Sequence, residues 1–144
     1  MVDVSDKESS ARTAKAAGTL ICRPETLEQV RSGTTPKGSV VRTAELAGIM
    51  AAKRTAELIP LCHPLSLTNI DVAIELDDEL PGFHVTSEVR TTGKTGVEME
   101  ALTGVSVACL TLFDMLKAID RTMVIDGINV VSKSGGKSGS WTRE

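Results

Sequence analysis

One stretch of this chain gathers most of the side chains that could do chemistry. It runs Gly93-Lys94-Thr95-Gly96-Val97-Glu98-Met99-Glu100, continues through an uncharged segment from Ala101 to Phe113, and ends Asp114-Met115-Leu116-Lys117. The apolar residues between the charges have no one-sided period, so as a helix the segment predicts coverage all round, in a core or between subunits. Glu98 and Glu100 stand at its start, Asp114 and Lys117 at its finish. Asp114 and Lys117 are three apart and share a helical face. A carboxylate and an amine beside a buried helix shift each other's pKa, and such a pair can run acid/base chemistry. The same spacing also serves a purely structural ion pair. Lys37, Lys53 and Lys117, with Arg12 and Arg54, could converge on an anion, although scattered surface cations give the same sequence.

Leu61-Cys62-His63-Pro64 follows Pro60. Two prolines stiffen this loop, which suits a ligand-positioning segment and equally a capped turn with a half-buried thiol. As metal ligands Cys62 and His63 have no evident partners. His84 falls on the polar face of a strand and reads as a solvated surface residue, while Cys109 lies mid-helix, so no metal site is expected. Gly93-Lys94-Thr95 and Gly136-Lys137-Ser138 imitate the end of a phosphate-binding P-loop. The full motif needs a glycine five residues before the second glycine, and those positions hold Glu88 and Val131. A basic glycine-rich loop such as Lys133–Gly139 can still hold phosphate through free N–H groups and ammonium charge.

Composition bounds the function. The chain of 144 residues fits one domain with its own core. With 16 lysines and arginines against 19 aspartates and glutamates it is mildly acidic, which disfavours a dominant nucleic-acid or membrane-surface role. Phe83, Phe113 and Trp141 are the only aromatics, so the stacking platforms of single-strand binders are missing. Three cysteines, Cys22, Cys62 and Cys109, never spaced as CxxC, read as reduced thiols. No signal peptide is visible and the Ala101–Phe113 run is too short to span a bilayer. The expectation is a soluble cytoplasmic protein.

The elements that must position these groups follow from periodicity and punctuation. Residues 1–10 are polar and expected to be poorly ordered. A strand is expected over Thr13–Ile21 and a short helix from Pro24 to Arg31, ended by Gly33. Ser39 is the expected N-cap of a longer helix with Val40, Ala44, Ala47 and Ala51 at helical spacing, carrying Lys53 and Arg54 near its end and stopped by Pro60. Period-two alternation marks strands at Ile70–Leu76 and Phe83–Val89, joined through Asp77-Asp78-Glu79 and Pro81-Gly82. The central helix is predicted over Val97–Ile119, a last strand near Met123–Val131, and a flexible tail from Ser132, with 133–144 mobile. The order predicts an α+β fold, an antiparallel sheet with helices on one face, close to the ferredoxin-like βαββαβ plan, in a single domain.

Taken together, MVDVSDK (1–7), KGSVVRTAELAGIMAAKRTAELIPLCHPL (37–65), TGKTGVEMEALTGVSVACLTLFDMLKA (92–118) and KSGGKSG (133–139) resemble the cyclic pyranopterin monophosphate synthase family, protein C of the molybdenum cofactor pathway. The matching stretches cover nearly the whole chain in order, and LIPLCHPL with GKTGVEMEALT is far more specific than any general motif. The family usually carries a Leu-Thr-His segment upstream of the position of Met1, so a truncated start is expected. The hairpin 75–83 and the residues after Gly139 carry no information on mechanism.

The resemblance implies an enzyme, a lyase, acting after a radical SAM protein has converted GTP to 3′,8-cyclo-7,8-dihydroguanosine triphosphate. It would rearrange that small molecule to cyclic pyranopterin monophosphate and release pyrophosphate, with no metal or redox cofactor. It also implies a homohexamer, a trimer of dimers, with sites between subunits. That assembly fits the central helix, because Glu100 and Asp114 are fourteen residues apart, roughly 21 Å along a helix, and one substrate could not touch both ends. By the same resemblance Asp114, Lys117 and Lys37 form the catalytic set, with Lys37 as proton donor to the opening ring. Lys53, Arg12 and Lys133 would hold phosphate, and Leu61, Cys62, His63, Met99 and Glu100 would line the pocket. Two other readings stay open, a non-catalytic nucleotide-sensing domain of ferredoxin-like form and an inactive paralogue that keeps the fold.

Overall fold

A computed structural model describes all 144 residues. The chain runs β1 (Ser10–Ile21), α1 (Pro24–Ser32), α2 (Val40–Ala52), α3 (Thr55–Leu58), β2 (Leu67–Asp77), β3 (Gly82–Gly93), α4 (Glu98–Leu116), β4 (Val124–Ser134) and β5 (Trp141–Thr142). The sheet order is β2-β3-β1-β4-β5 and every neighbouring pair is antiparallel. The first four strands thus take the ferredoxin-like arrangement that the element order predicts, with a short fifth strand added at one edge.

Period two sets the faces of the sheet. Ala14, Ala16 and Leu20 on β1 and Phe83, Val85 and Val89 on β3 point into the core and are buried. Lys15 lies opposite Glu88 on the other face, a favourable cross-strand charge pair. Helices α2 and α4 cover the inner face, packed on each other. They cross closely at two glycines, where a Cβ on Gly48 would stand 2.8 Å from the carbonyl oxygen of Gly104. Leu27, Val97, Val105, Leu112 and Leu116 complete the buried core, with Phe83 its one fully buried aromatic. Aliphatic side chains therefore carry the burial, as the composition requires.

Local chemistry fixes the edges of these elements. Pro24 opens α1, and Gly33 closes it in the left-handed region at φ 73° with the following turn bonded back to Gln29 and Val30. The α1 start is held by buried Asp120, which accepts from Arg23 N and Thr26 Oγ1, each at 2.9 Å, and also from Thr122. Burial, the largest influence on Asp120, pushes its pKa up, yet these hydrogen bonds together hold it at about 2. The β2–β3 hairpin pairs Asp77 with Gly82, and Arg31 of α1 reaches Asp78 at its tip over 2.9 Å. Half-exposed His84 meets Asp77 Oδ2 at 2.8 Å.

Several expected boundaries move. α2 ends at Ala52 rather than at Pro60, because Thr55 Oγ1 takes the carbonyl of Ala52 and Arg54 leaves helical geometry; α3 then forms as a separate turn. Ser39 has N-cap backbone geometry but makes no side-chain cap bond. Residues 133–144 are not a free tail, since β4 continues to Ser134 and β5 pairs Trp141 with Lys133 and Thr142 with Ser132. Residues 1–9 lack regular structure yet are tied down, as described below. Helix α4 spans about 27 Å. Its length and hydropathy would suffice to cross a membrane, but more than half of it is buried within this fold. Within one chain it is not covered all round: Leu110 is 59% exposed.

Candidate active site

At the C-terminal end of α4 the carboxylate of Asp114 lies between two ammonium groups. Lys37, from the loop before α2, donates to Oδ2 at 2.8 Å, and Lys117, one turn along, stands 2.9 Å from Oδ1. The hydrogen bond from Lys37, then that from Lys117, brings the Asp114 pKa down to about 2. The spacing of 114 and 117 finds the helical pair; the resemblance groups Lys37 with them, and the fold brings it into contact from seventy-seven positions away. Although most of α4 is buried, the pair is open to solvent in the single chain, with the Asp114 side chain 54% exposed. A carboxylate held that low is a weak base. An anion that drew either ammonium away would raise its basicity.

The N-terminal end of α4 is built differently. Glu100 is 3% exposed, and its Oε2 is buried without a hydrogen-bond partner. Burial pushes its pKa up, the nearby charge of Glu98 adding to the shift. Cys62 Sγ approaches Glu100 Oε1 at 4.0 Å, and burial followed by that carboxylate raises the thiol pKa too. Glu100 faces a small cavity of about 140 Å³ shared with Lys53, Arg54, Thr55, Pro64 and Leu65. Lys53 also borders a wider groove of about 490 Å³ between α2 and the edge strand β2. Leu61 is 70% exposed in the turn after α3, and Met99 is 38% exposed on the first turn of α4. The ring Nε2 of His63 is 2.6 Å from the carbonyl oxygen of Val2.

Beside this cavity, β1 and β4 bring two more cations to the same end. Arg12 donates from Nε to Gly93 O at 3.1 Å and from Nη2 to Lys94 O at 3.3 Å, so its guanidinium is oriented by the glycine-rich loop ahead of α4. Gly136 passes over it at φ 73°, where a Cβ would collide with the guanidinium. Lys133 pairs with Glu98 at 3.0 Å. Glu98 is the residue that sequence reasoning passed over. Its position in the acidic first turn of α4 was visible, but its lysine partner is thirty-five residues away on another strand.

Within one chain the expected set divides. Lys37, Asp114 and Lys117 meet at one end of α4; Arg12, Lys53, Cys62, His63, Met99, Glu100 and Lys133 belong to the other. Arg54 pairs with Glu57 on its own turn. No three His, Cys, Asp or Glu side chains converge in a metal-binding group.

Comparison with known proteins gives one consistent answer. Residues 1–136 match the MoaC family. The curated cyclic pyranopterin monophosphate synthase of Methylobacterium sp. (strain 4-46) is 61% identical over 144 residues, covering 100% of this chain and 90% of that protein. The protein of the same name from Methylobacterium nodulans is also 61% identical over 144 residues, with the same coverage. That of Brucella ovis is 57% identical over 141 residues, covering 98% of this chain and 86% of the relative.

Proposed function

The chain belongs to the MoaC family, and on that premise we propose that it is a cyclic pyranopterin monophosphate synthase, a lyase of molybdenum cofactor biosynthesis. Its substrate is 3′,8-cyclo-7,8-dihydroguanosine 5′-triphosphate, delivered by an upstream radical SAM enzyme, and its products are cyclic pyranopterin monophosphate and pyrophosphate. The observation that carries the reading is Asp114 held by Lys37 and Lys117 at 2.8 and 2.9 Å. Opening the guanine-derived ring and closing a pterin requires protons to be removed and returned at several atoms, and one group cannot be acid and base at once. An ionised carboxylate with an ammonium on each side supplies both roles. Lys37 gives a proton to the opening ring, while Asp114 and Lys117 relay the others.

The phosphate half of the substrate belongs to the other end of α4. Forming the cyclic monophosphate breaks a phosphoanhydride bond, and charge accumulates on the departing pyrophosphate, where cationic groups stabilise it most. Arg12, Lys133 and Lys53 fill that role, with Leu61, Cys62, His63, Met99 and Glu100 around the ring system. One molecule of substrate cannot bridge about 27 Å of helix, so each complete site joins the Asp114 end of one subunit to the Glu100 end of another. The exposed Leu46 and Met50 of α2 and Leu110 of α4 supply apolar surface for that contact. The assembly proposed is a cytoplasmic homohexamer, a trimer of dimers.

The direct test is incubation of the purified protein with the cyclic GTP-derived intermediate, assaying pyrophosphate and pterin together. Formation of both in equal amounts is expected. Tight binding of the intermediate with neither product would leave a nucleotide-sensing domain instead. Light scattering at micromolar concentration should return six subunits, and a monomer mass would remove the shared-site arrangement.

A further inference from the structure

The segment ahead of β1 is fastened at two points to loops of the phosphate end. The Val2 carbonyl oxygen meets His63 Nε2 at 2.6 Å, and the Ser5 carbonyl oxygen accepts from Lys94 Nζ at 3.3 Å. Between these ties the segment folds on itself, with Lys7 N bonded to Val4 O and Ser5 N to Asp3 Oδ1. It then enters β1 directly, two residues before Arg12. Residues 6–10 form one wall of a cavity of about 500 Å³ whose other walls are Arg12, Gly136 and Lys137, with no apolar residue in the lining. The hydroxyl oxygen of Ser10 is buried and has no hydrogen-bond partner.

We propose that residues 2–9 are a strap, held by Lys94 and His63 as positioning residues, that closes the cavity in which the departing pyrophosphate is bound. The proposal rests on the function assigned above and adds to it a wall and two fasteners. The charges of the strap are mixed, Lys7 against Asp6 and Glu8, so it contributes shape, hydroxyls and exclusion of water more than net charge. In this cavity the cationic pull comes from Arg12, assigned to the pyrophosphate above, joined by Lys137; Lys133 and Lys53 lie outside its lining and hold the part of the phosphate chain nearer the ring. Arg12 is already aimed by the carbonyls of Gly93 and Lys94, so the loop residue that orients the guanidinium through its backbone also anchors the strap through its side chain. A pyrophosphate seated there would meet the Arg12 guanidinium as a donor, and a small shift of the strap would turn the buried, unpartnered Ser10 hydroxyl toward it as a second. Because Lys94 and His63 bind main-chain carbonyls, they act on the strap whatever its side chains are.

The test uses the intact chain and inorganic pyrophosphate. Amide hydrogen exchange over residues 3–9 is followed by mass spectrometry with and without the anion, for wild type, Lys94→Met, Lys94→Arg and His63→Ala. Pyrophosphate should slow exchange of the strap in the wild type. Lys94→Met should speed it and weaken pyrophosphate binding about tenfold, the loss expected for one charge-assisted hydrogen bond, and Lys94→Arg should restore both. His63→Ala should free residues 2–4 more than 6–9. With the cyclic substrate, Lys94→Met should raise KM and leave kcat nearly unchanged. Strap exchange indifferent to pyrophosphate, or a Lys94→Met protein that binds pyrophosphate as wild type does, overturns the strap. Absence of turnover in a wild type whose strap is protected by pyrophosphate would instead count against the enzymatic reading and leave the strap standing.

Discussion

The two ends of α4 carry charge in opposite ways. At the C-terminal end, Asp114 is about half exposed and meets two flexible lysines. At the N-terminal end, Glu100 is buried with an oxygen unpartnered against a small cavity, and a second cavity is lined by Arg12. The first carboxylate is pushed down in pKa by its partners, the second up by its surroundings. An exposed ion pair in water contributes little to folding, so the Asp114 cluster has no structural need for two cations. Glu100 costs stability for as long as it is ionised and unpaired. One end offers reactive groups without walls, and the other offers walls and cations around a buried carboxylate. Neither resembles a finished site, and their complementarity is what favours a shared one.

The largest expected effect separates chemistry from binding. Asp114→Asn, and likewise Lys37→Ala and Lys117→Ala, should keep the fold and lose pterin formation by about 10²–10⁴, the range of general acid–base catalysis. Single-turnover kinetics on folded oligomer measures this, and a near-wild-type rate for Asp114→Asn would break the contrast between the ends. Arg12→Ala and Lys133→Ala should act first on affinity, raising KM before kcat falls. The sharper test mixes Asp114→Asn and Lys133→Ala subunits after reversible dissociation. If each site takes one end from each of two subunits, an equal mixture assayed with substrate far below the raised KM of Lys133→Ala, where both parents are nearly silent, should recover about a quarter of wild-type activity. No recovery would place both ends of a site in one chain.

Smaller effects concern stability. Asp120 binds its proton less readily in the fold than when unfolded, so its contribution is complete above the ordinary aspartate range and is lost as pH falls from about 4 to about 2. Asp120→Asn should cost about 2 kcal/mol near neutral pH, read from chemical denaturation, with little further loss on acidification. Glu100 has the opposite sign: its raised pKa means that ionisation opposes folding at neutral pH, and the penalty is relieved as the pH drops. Glu100→Gln should therefore raise Tm by a few degrees while impairing substrate binding. A lower Tm would show that the unpartnered oxygen is not the liability its burial implies.

How far the residues alone reach differs between the same two ends. Alternation gave β2 and β3 and the helical spacing gave α4, because period and burial are local consequences of which side chains face the core. Gly33 ended α1 where a left-handed residue was needed. Motifs as specific as LIPLCHPL with GKTGVEMEALT pointed to the family without any coordinates. What the chain could not disclose is which distant residues meet. Lys37 on Asp114, Lys133 on Glu98, Trp141 beside Lys133 and Val2 on His63 are contacts across thirty-five or more positions, or across a turn of three glycines, and local patterns carry no information about them. The same holds for exposure. A run apolar on every side predicts cover on every side, but whether the cover comes from this chain or from another is decided by packing, and here Leu110 is left open. The sequence by itself determined the longer strands and helices and the kinds of chemistry present; the tertiary structure decided the short α3 and β5 and the grouping of the rest, because proximity between remote segments arises only when the sheet is assembled and the helices are laid on its face.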